Sequence, residues 1–561
     1  MIDDRTAGKF VDVRPGALYG QAKGEWYMKN HDAGAGSESN GNKTDTDRRL
    51  IEFLLCPDAY PENPSRIDHI ETSISHVFLG DHFVYKIKKP VNFGYCDFST
   101  LKKRHHYCLE EVSLNRRLAA EIYIGVVPIF RRGDMFSFKR SKACFVADHA
   151  VKMKKIPDGC ILFNLIEQGK PLYGELEEIG KILSVFHNHA PCYRGSRYGG
   201  VKTIQWTSEQ NFSQIEPFCY ITINREFLDT LTAYTRNFID AHRDALKSRK
   251  KDGFIRKGHG DLHSQHICLT HPPVIFDCIE FNEAFRVIDI LQDIAFLLMD
   301  LEYRGRFDLS RRLLKSYSAH QKSPLPEELL RFYKVYRAVV RGKVESLLFS
   351  NSEDPDTKQK GLKMATDYFK LAEHYIRDDR KPFNPVVIMG LSGSGKSTIA
   401  KDIPGDWIIL RSDEMRKQTA GVRKGEHLYS EYGEKIYSDE MTRNIYSLLL
   451  DKATGHVLDG HRVIVDATYL KSSQRMSFYN ACMERGLNPF FIQCFAGEAF
   501  LRERIIKRMQ NGTDVSDAHL GILERQLQEM EDPFELPYFR VLRLNTEEAV
   551  HKTVGALKEF L

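Results

Sequence analysis

Gly390-Leu391-Ser392-Gly393-Ser394-Gly395-Lys396-Ser397 fits the pattern G-x-x-x-x-G-K-[ST] and directly follows the apolar run Val386-Val387-Ile388-Met389. Glycines in this spacing let successive backbone N–H groups turn toward a chain of phosphates. Lys396 adds a point charge for the β- and γ-phosphates, and the Ser397 hydroxyl can ligate Mg²⁺. Thr398 opens a segment that can continue as a helix, its N-terminus facing the anion. A mere glycine turn is the bland alternative. The preceding strand and following helix are the context a phosphate-binding loop (P-loop) requires and a turn does not.

Acids and arginines downstream suit the same chemistry. Asp413 falls just past a second apolar run, in Leu410-Arg411-Ser412-Asp413-Glu414-Met415-Arg416-Lys417. In an open parallel sheet, residues beyond the C-terminal strand ends line the ligand crevice. There Asp413 could take a proton from a substrate hydroxyl, and Arg416 could hold substrate or offset phosphate charge. Ser412 or Asp413 could equally be an ordinary helix cap. Asp466 ends the run Val463-Ile464-Val465, the form of a metal-holding Walker-B carboxylate, with capping again the alternative. Arg504 and Arg508 are spaced i,i+4 on one helical face. They could close on a γ-phosphate as a lid, or lie in solvent.

A second cluster reads His259-Gly260-Asp261-Leu262-His263, then Val274-Ile275-Phe276-Asp277-Cys278-Ile279-Glu280-Phe281. An acid held in a tight turn, followed after a hairpin-sized gap by another at a strand end, can supply one base and one metal ligand to one side of a cleft. H-G-D alone is also common in plain turns.

These groups need elements to hold them. The chain has 561 residues, 42% hydrophobic and 28% charged, too long for one core and composed like a soluble globular protein. The net charge of +5 gives no basic surface suited to nucleic acid or a membrane. No run approaches the about 18 apolar residues of a membrane span, and the opening Met1 to Phe10 lacks signal-peptide character, so a cytoplasmic location is expected. Eleven cysteines without a C-x-x-C pair read as reduced thiols.

Residues 1–47, rich in Gly, Asp, Asn and Lys, are expected to be a disordered tail. A helix is expected from near Asp47. Strands at 71–79 and 82–88 are joined by the hairpin signal Gly80-Asp81, and helical periodicity runs from Leu101 to Leu118. Strands return at about 140–156, helices dominate to about 379, and Ser350 to Gln359 reads as a polar loop. A proline-terminated basic stretch, Arg377 to Pro382, marks the expected boundary between domains 48–380 and 381–561. Beyond it, short apolar runs alternate with helical patterns, as in a parallel sheet covered on both faces.

The motifs GLSGSGKST, LRSDEMRK, VIVDAT and the Arg504/Arg508 helix followed by Asp514 to Ala518 resemble P-loop kinases related to gluconate kinase, polynucleotide kinase and zeta toxins. Residues His259–Phe281 with Asp289 to Ala295 resemble the aminoglycoside phosphotransferase and choline kinase branch of the protein-kinase-like fold. That resemblance implies Asp261 as catalytic base, Glu280 as metal-binding acid and Asp293 as a structural aspartate. It further implies Lys86 as the strand lysine, Glu111 as its ion-pair partner and Val151-Lys152-Met153 at an adenine-holding hinge. Lys88 and Glu110 remain alternatives to their neighbours. His266 stands where the family pattern has a metal-binding Asn, and Glu280 where it has Asp. A neutral imidazole is a poor ligand for a hard cation.

The domain order resembles a bacterial family with an aminoglycoside phosphotransferase-like domain fused to a P-loop ATPase or kinase. The implied fold class is an α+β protein-kinase-like N-terminal domain plus an α/β P-loop NTPase C-terminal domain with a parallel sheet. The implied activity is ATP- and Mg²⁺-dependent transfer of a γ-phosphoryl group to a hydroxyl of a small molecule, with the N-terminal domain a second or a degenerate kinase. A nucleotide-gated sensor whose N-terminal domain only binds a ligand is the alternative. A nucleic-acid 5′-hydroxyl kinase fits less well, because no basic stripe interleaved with aromatics is present.

Overall fold

The computed structural model describes residues 40–323, 325–377, 384–420, 439–511, 519–547 and 557, except for the side chains of 40–47 and 511. Positions 1–39 of the expected tail, the expected boundary at 378–382 and the Asp514 to Ala518 motif lie outside them. The first helix is Asn40–Leu55, which starts earlier than the expected Asp47.

Contacts group the chain into two compact units. Leu165–Gly180, Leu298–Ser316 and the residues from Glu373 onward form the second, and the remainder forms the first.

The first unit is built on strands β1 (Asp68–Glu71), β2 (Ser75–Leu79), β3 (Phe83–Lys88), β4 (Tyr123–Arg132), β5 (Met135–Ser137) and β6 (Phe145–Lys154). They form one sheet in the order β1-β2-β3-β6-β4-β5. Gly80 to His82 turn β2 into β3, and Val77 lies opposite Lys86. Helix Leu101–Ala119, capped by the Thr100 side chain, packs Cys108, Val112 and Ala119 against Val77, Val84 and Met153. Short strands β7 (Ile255–Lys257), β8 (Ile267–Cys268), β9 (Val274–Ile275) and β10 (Val287–Asp289) complete the unit's sheet structure. β8 and β9 are an antiparallel pair, and so are β7 and β10. The expected polar loop at 350–359 is largely helical, because helix Pro355–Ile376 starts inside it. Asp354 accepts the Thr357 N–H at 2.9 Å, and Pro355 takes a first-turn position that needs no N–H donor.

The second unit carries β11 (Val386–Met389), β12 (Trp407–Arg411), β13 (Arg462–Asp466), β14 (Phe490–Phe495) and β15 (Val541–Asn545). The order is β12-β13-β11-β14-β15, every neighbouring pair parallel. All four residues of β11 are buried, as expected for a central strand covered on both faces. One face packs on Ile445, Leu449, Phe478 and Cys482, the other on Ile399, Ala400 and Ile403. Parallel pairing brings Met389, Arg411, Asp466, Phe495 and Asn545 to a single edge of the sheet, and the residues that follow each of them meet there.

Candidate functional site

At that edge the chain leaves β11 through Gly390 (φ 140°), Gly393 (φ 82°) and Gly395 (φ 83°) before helix Lys396–Asp402. A Cβ on Gly390 would fall 2.2 Å from the carbonyl oxygen of Cys494, so the loop's path depends on that glycine. The loop, the ends of β12 and β13 and helix Glu498–Asn511 line a cleft of roughly 380 Å³.

Ser397 Oγ donates to Asp466 Oδ2 at 2.6 Å. Arg411, the last residue of β12, reaches Asp466 Oδ2 through Nε at 3.3 Å and Ser397 Oγ through Nη2 at 3.0 Å. A hydroxyl and a carboxylate oxygen side by side suit a hard, oxygen-seeking cation such as Mg²⁺. Lys396 Nζ donates to the Leu391 carbonyl at 2.8 Å. Desolvation pushes its ammonium below the usual lysine range, while Asp466 works in the opposite direction.

Asp413 and Arg416 both line the cleft. Helix Ser412–Thr419 is N-capped by Arg411 without a side-chain hydrogen bond, so neither Ser412 nor Asp413 serves as its N-cap. Arg416 is buried and donates to Thr442 Oγ1 at 3.0 Å. Arg504 and Arg508 line the cleft as well. Arg504 is tied to Thr546 Oγ1 at 3.0 Å and to the Gly393 carbonyl at 3.4 Å. The Ser392 N–H donates to Gln526 Oε1 at 2.8 Å. Sequence reasoning passed over Arg411, Thr442, Tyr446, Lys471, Gln474 and Gln526. All of them line the cleft, and only Arg411 carried a signal, its position at a strand end.

The first unit holds the second cluster. Lys86 Nζ donates to Glu111 Oε1 at 2.8 Å and to Asp277 Oδ1 at 3.1 Å. Lys88 Nζ donates to Glu111 Oε2 at 2.7 Å and to Glu280 Oε1 at 2.5 Å. Glu111 therefore serves both lysines that period-2 alternation puts on one strand face, and Glu110 instead faces Arg286. Burial opposes the Lys86 charge, but Asp277 and Glu111 outweigh it and hold the ammonium well above the usual lysine range.

Asp293 accepts the N–H groups of His259 and Gly260 at 2.6 and 2.9 Å and a hydrogen from His187 Nε2 at 3.1 Å. It thereby pins the backbone of the turn that presents Asp261. Burial acts to raise its pKa, but the His187 hydrogen bond and the neighbouring His259 hold it well below the usual carboxylate range.

Two expected positions differ in place. Glu280 is engaged by Lys88, with both side chains 1% exposed. Asp277, in the left-handed region at φ 63°, puts Oδ2 3.4 Å from His266 Nε2. The carboxylate beside His266 is thus Asp277, because the irregular backbone after β9 turns it inward. Met153 lies between Val84 of β3 and Tyr123 of β4 with its side chain in the core. Burial, then His263, pushes the His266 ring down to about 3, so the imidazole is neutral near pH 7.

Residues 386–533 match the family model described as "AAA domain", and the second unit contains a P-loop nucleotide-binding domain on a parallel sheet. The chain is 28% identical over 466 residues to an uncharacterized protein of Mycobacterium tuberculosis (strain ATCC 25618 / H37Rv), covering 82% of this chain and 90% of the relative. Among solved structures, a gluconokinase from Sinorhizobium meliloti 1021 is 20% identical, with 32% of this chain and 91% of that one covered and a TM-score of 0.23. A choline/ethanolamine kinase family protein from Mesorhizobium loti is 13% identical, with 59% and 99% covered and a TM-score of 0.34. Among the described residues no helix is long and apolar enough to cross a membrane.

Proposed function

We propose that the chain is an ATP- and Mg²⁺-dependent phosphotransferase whose P-loop cleft moves a γ-phosphoryl group to a hydroxyl of a small molecule. The observation that carries this reading is the meeting of Lys396, the Ser397–Asp466 pair, Asp413 and Arg416 around one cleft. Bound Mg²⁺-ATP would supply the transferable phosphoryl group. Lys396 and the loop N–H groups bind its phosphates, Ser397 and Asp466 hold the cation, and Arg508 offsets charge on the transferring group. Asp413 accepts the acceptor's proton as its oxygen bonds to phosphorus and the bond to the departing β-phosphate oxygen breaks. Arg416, held by Thr442, orients the acceptor.

The first unit is read as a second kinase-like domain of reduced or altered competence. Asp261 is its base, Lys86 and Glu111 its ion pair, and Asp277 rather than Glu280 its metal-side carboxylate. The rival reading, a nucleotide-gated sensor, draws support from His266 in the metal-side position. Measuring ADP release by the full chain over a panel of hydroxyl acceptors, beside Lys396→Ala and Asp261→Asn, separates these readings. Acceptor-stimulated release lost in Lys396→Ala and kept in Asp261→Asn supports transfer by the P-loop cleft. Slow release that no acceptor stimulates supports the sensor.

A further inference from the structure

The loop presenting Asp261 contains more nitrogen than a magnesium site tolerates. One ligand atom from each of Asp261, His263 and His266 can be chosen so that all lie within 4.8 Å of one another. His263 Nε2 and His266 Nδ1 each lie 3.6 Å from Asp261 Oδ2. The imidazole rings are 4.0 Å apart between centroids, and both residues are buried, His263 at 2% and His266 at 4% exposure.

Two further observations point to a ligand. His263 Nε2 is buried and makes no hydrogen bond to any described residue, although it is aimed at a carboxylate; stranding such a nitrogen is costly. His266 Nδ1 lies 2.9 Å from the Asp261 carbonyl oxygen. A carbonyl only accepts, so Nδ1 carries the hydrogen, and Nε2 faces Asp277 Oδ2 at 3.4 Å. An N–H given to a backbone carbonyl is how ligating histidines are oriented, and it leaves Nε2, beside Asp277, as the atom that can ligate a cation. Bonds of about 2.0–2.1 Å to a central ion place neighbouring ligand atoms about 3.0–3.5 Å apart, close to the 3.6 Å between His263 Nε2 and Asp261 Oδ2 and the 3.4 Å between His266 Nε2 and Asp277 Oδ2.

We propose that Asp261, His263 and His266, closed on a fourth side by Asp277, bind one divalent transition-metal ion of the zinc class in preference to Mg²⁺. Two imidazoles with one or two carboxylates match ions of borderline softness, whereas Mg²⁺ demands oxygen. An Asp261 that ligates the ion is not available as a base, so the metal-bound loop belongs to the altered competence read for the first unit.

Calorimetric titration of the nucleotide-free full chain with Zn²⁺ in millimolar Mg²⁺ tests this, alongside His263→Gln and His266→Asn checked for retained fold by circular dichroism. The expected result is one zinc per chain, with affinity at least about tenfold weaker in each variant. Equal zinc affinity in all three proteins, or no zinc uptake by the unsubstituted chain, overturns the proposal. Co²⁺ titration of the unsubstituted chain guards against variants that misfold. Ligand-field bands of a nitrogen-ligated centre that Zn²⁺ abolishes support the site, and an oxygen-only spectrum overturns it.

Discussion

The hydroxyl of Ser397 lies 2.6 Å from the carboxylate of Asp466, joining the residue after the P-loop lysine to the last residue of β13. Residues 69 positions apart meet because β11 and β13 are parallel neighbours and both chains emerge at the same edge. Arg411 from the next strand touches both, so three strand ends converge on the proposed cation position.

Asp466→Asn is expected to leave the sheet intact and to raise the Mg²⁺ concentration needed for half-maximal turnover by about 10–100-fold, since it removes a charged oxygen ligand. Turnover against Mg²⁺ concentration checks this. An unshifted midpoint would return Asp466 to a purely structural part.

Asp413→Asn is expected to keep ATP binding and cut phosphoryl transfer by about 10²–10⁴-fold. Nucleotide affinity by calorimetry and single-turnover rates separate the two quantities. Parallel loss of both would mean that Asp413 shapes the cleft and moves no proton.

Glu280→Gln is expected to destabilise the first unit by about 3–5 kcal/mol, because it leaves Lys88 short of a partner where both side chains are 1% exposed. Glu110→Gln, at a pair where the glutamate side chain is 29% exposed, should cost under about 1 kcal/mol. Thermal melts of the two variants check the contrast, and equal midpoints would contradict it.

Lys343 donates to Asn211 and Gln214, and burial pushes its ammonium down to about 8. In the unfolded chain it titrates near the ordinary lysine value, so between the two values the unfolded state binds more protons and stability rises with pH. The cost of burying the charge is fully present below pH 8 and is relieved as pH climbs above it. Lys343→Met should therefore gain stability relative to the unsubstituted chain at pH 7, and that advantage should shrink by up to about 1.4 kcal/mol per pH unit above 8. Denaturant unfolding at pH 7 and 9.5 measures it; an advantage that does not change with pH would refute the burial of a charged Lys343.

Much of the second unit was legible because its signals are local. Apolar runs of three or four residues end at the edge where the chemistry sits, so Lys396, Ser397, Asp413 and Asp466 could be picked out one by one. Thr442, Tyr446, Lys471 and Gln474 could not, since they lie on helices, or for Lys471 just before one, whose packing and not their spacing turns them into the cleft. In the first unit, strand alternation put Lys86 and Lys88 on one face but could not say that Glu111 would bind both. Asp277 and Glu280 lie in irregular backbone with no period to read, and only the positive φ of Asp277 decides which faces His266. Met153, placed by resemblance, sits between two strands with its side chain buried, a burial that no local spacing announced.

Arg504 was expected as part of a lid, yet its guanidinium is fastened to the Gly393 carbonyl and to Thr546. A Cβ on Gly393 would come within 2.9 Å of the Leu501 carbonyl, on the helix that carries this arginine. Phosphate loop and arginine helix are thus gauged against each other by main-chain contact, as a vice is set by its frame. The spacing of Arg504 from the phosphate loop is thus set by how closely the two backbones pack, as a ruler sets a length.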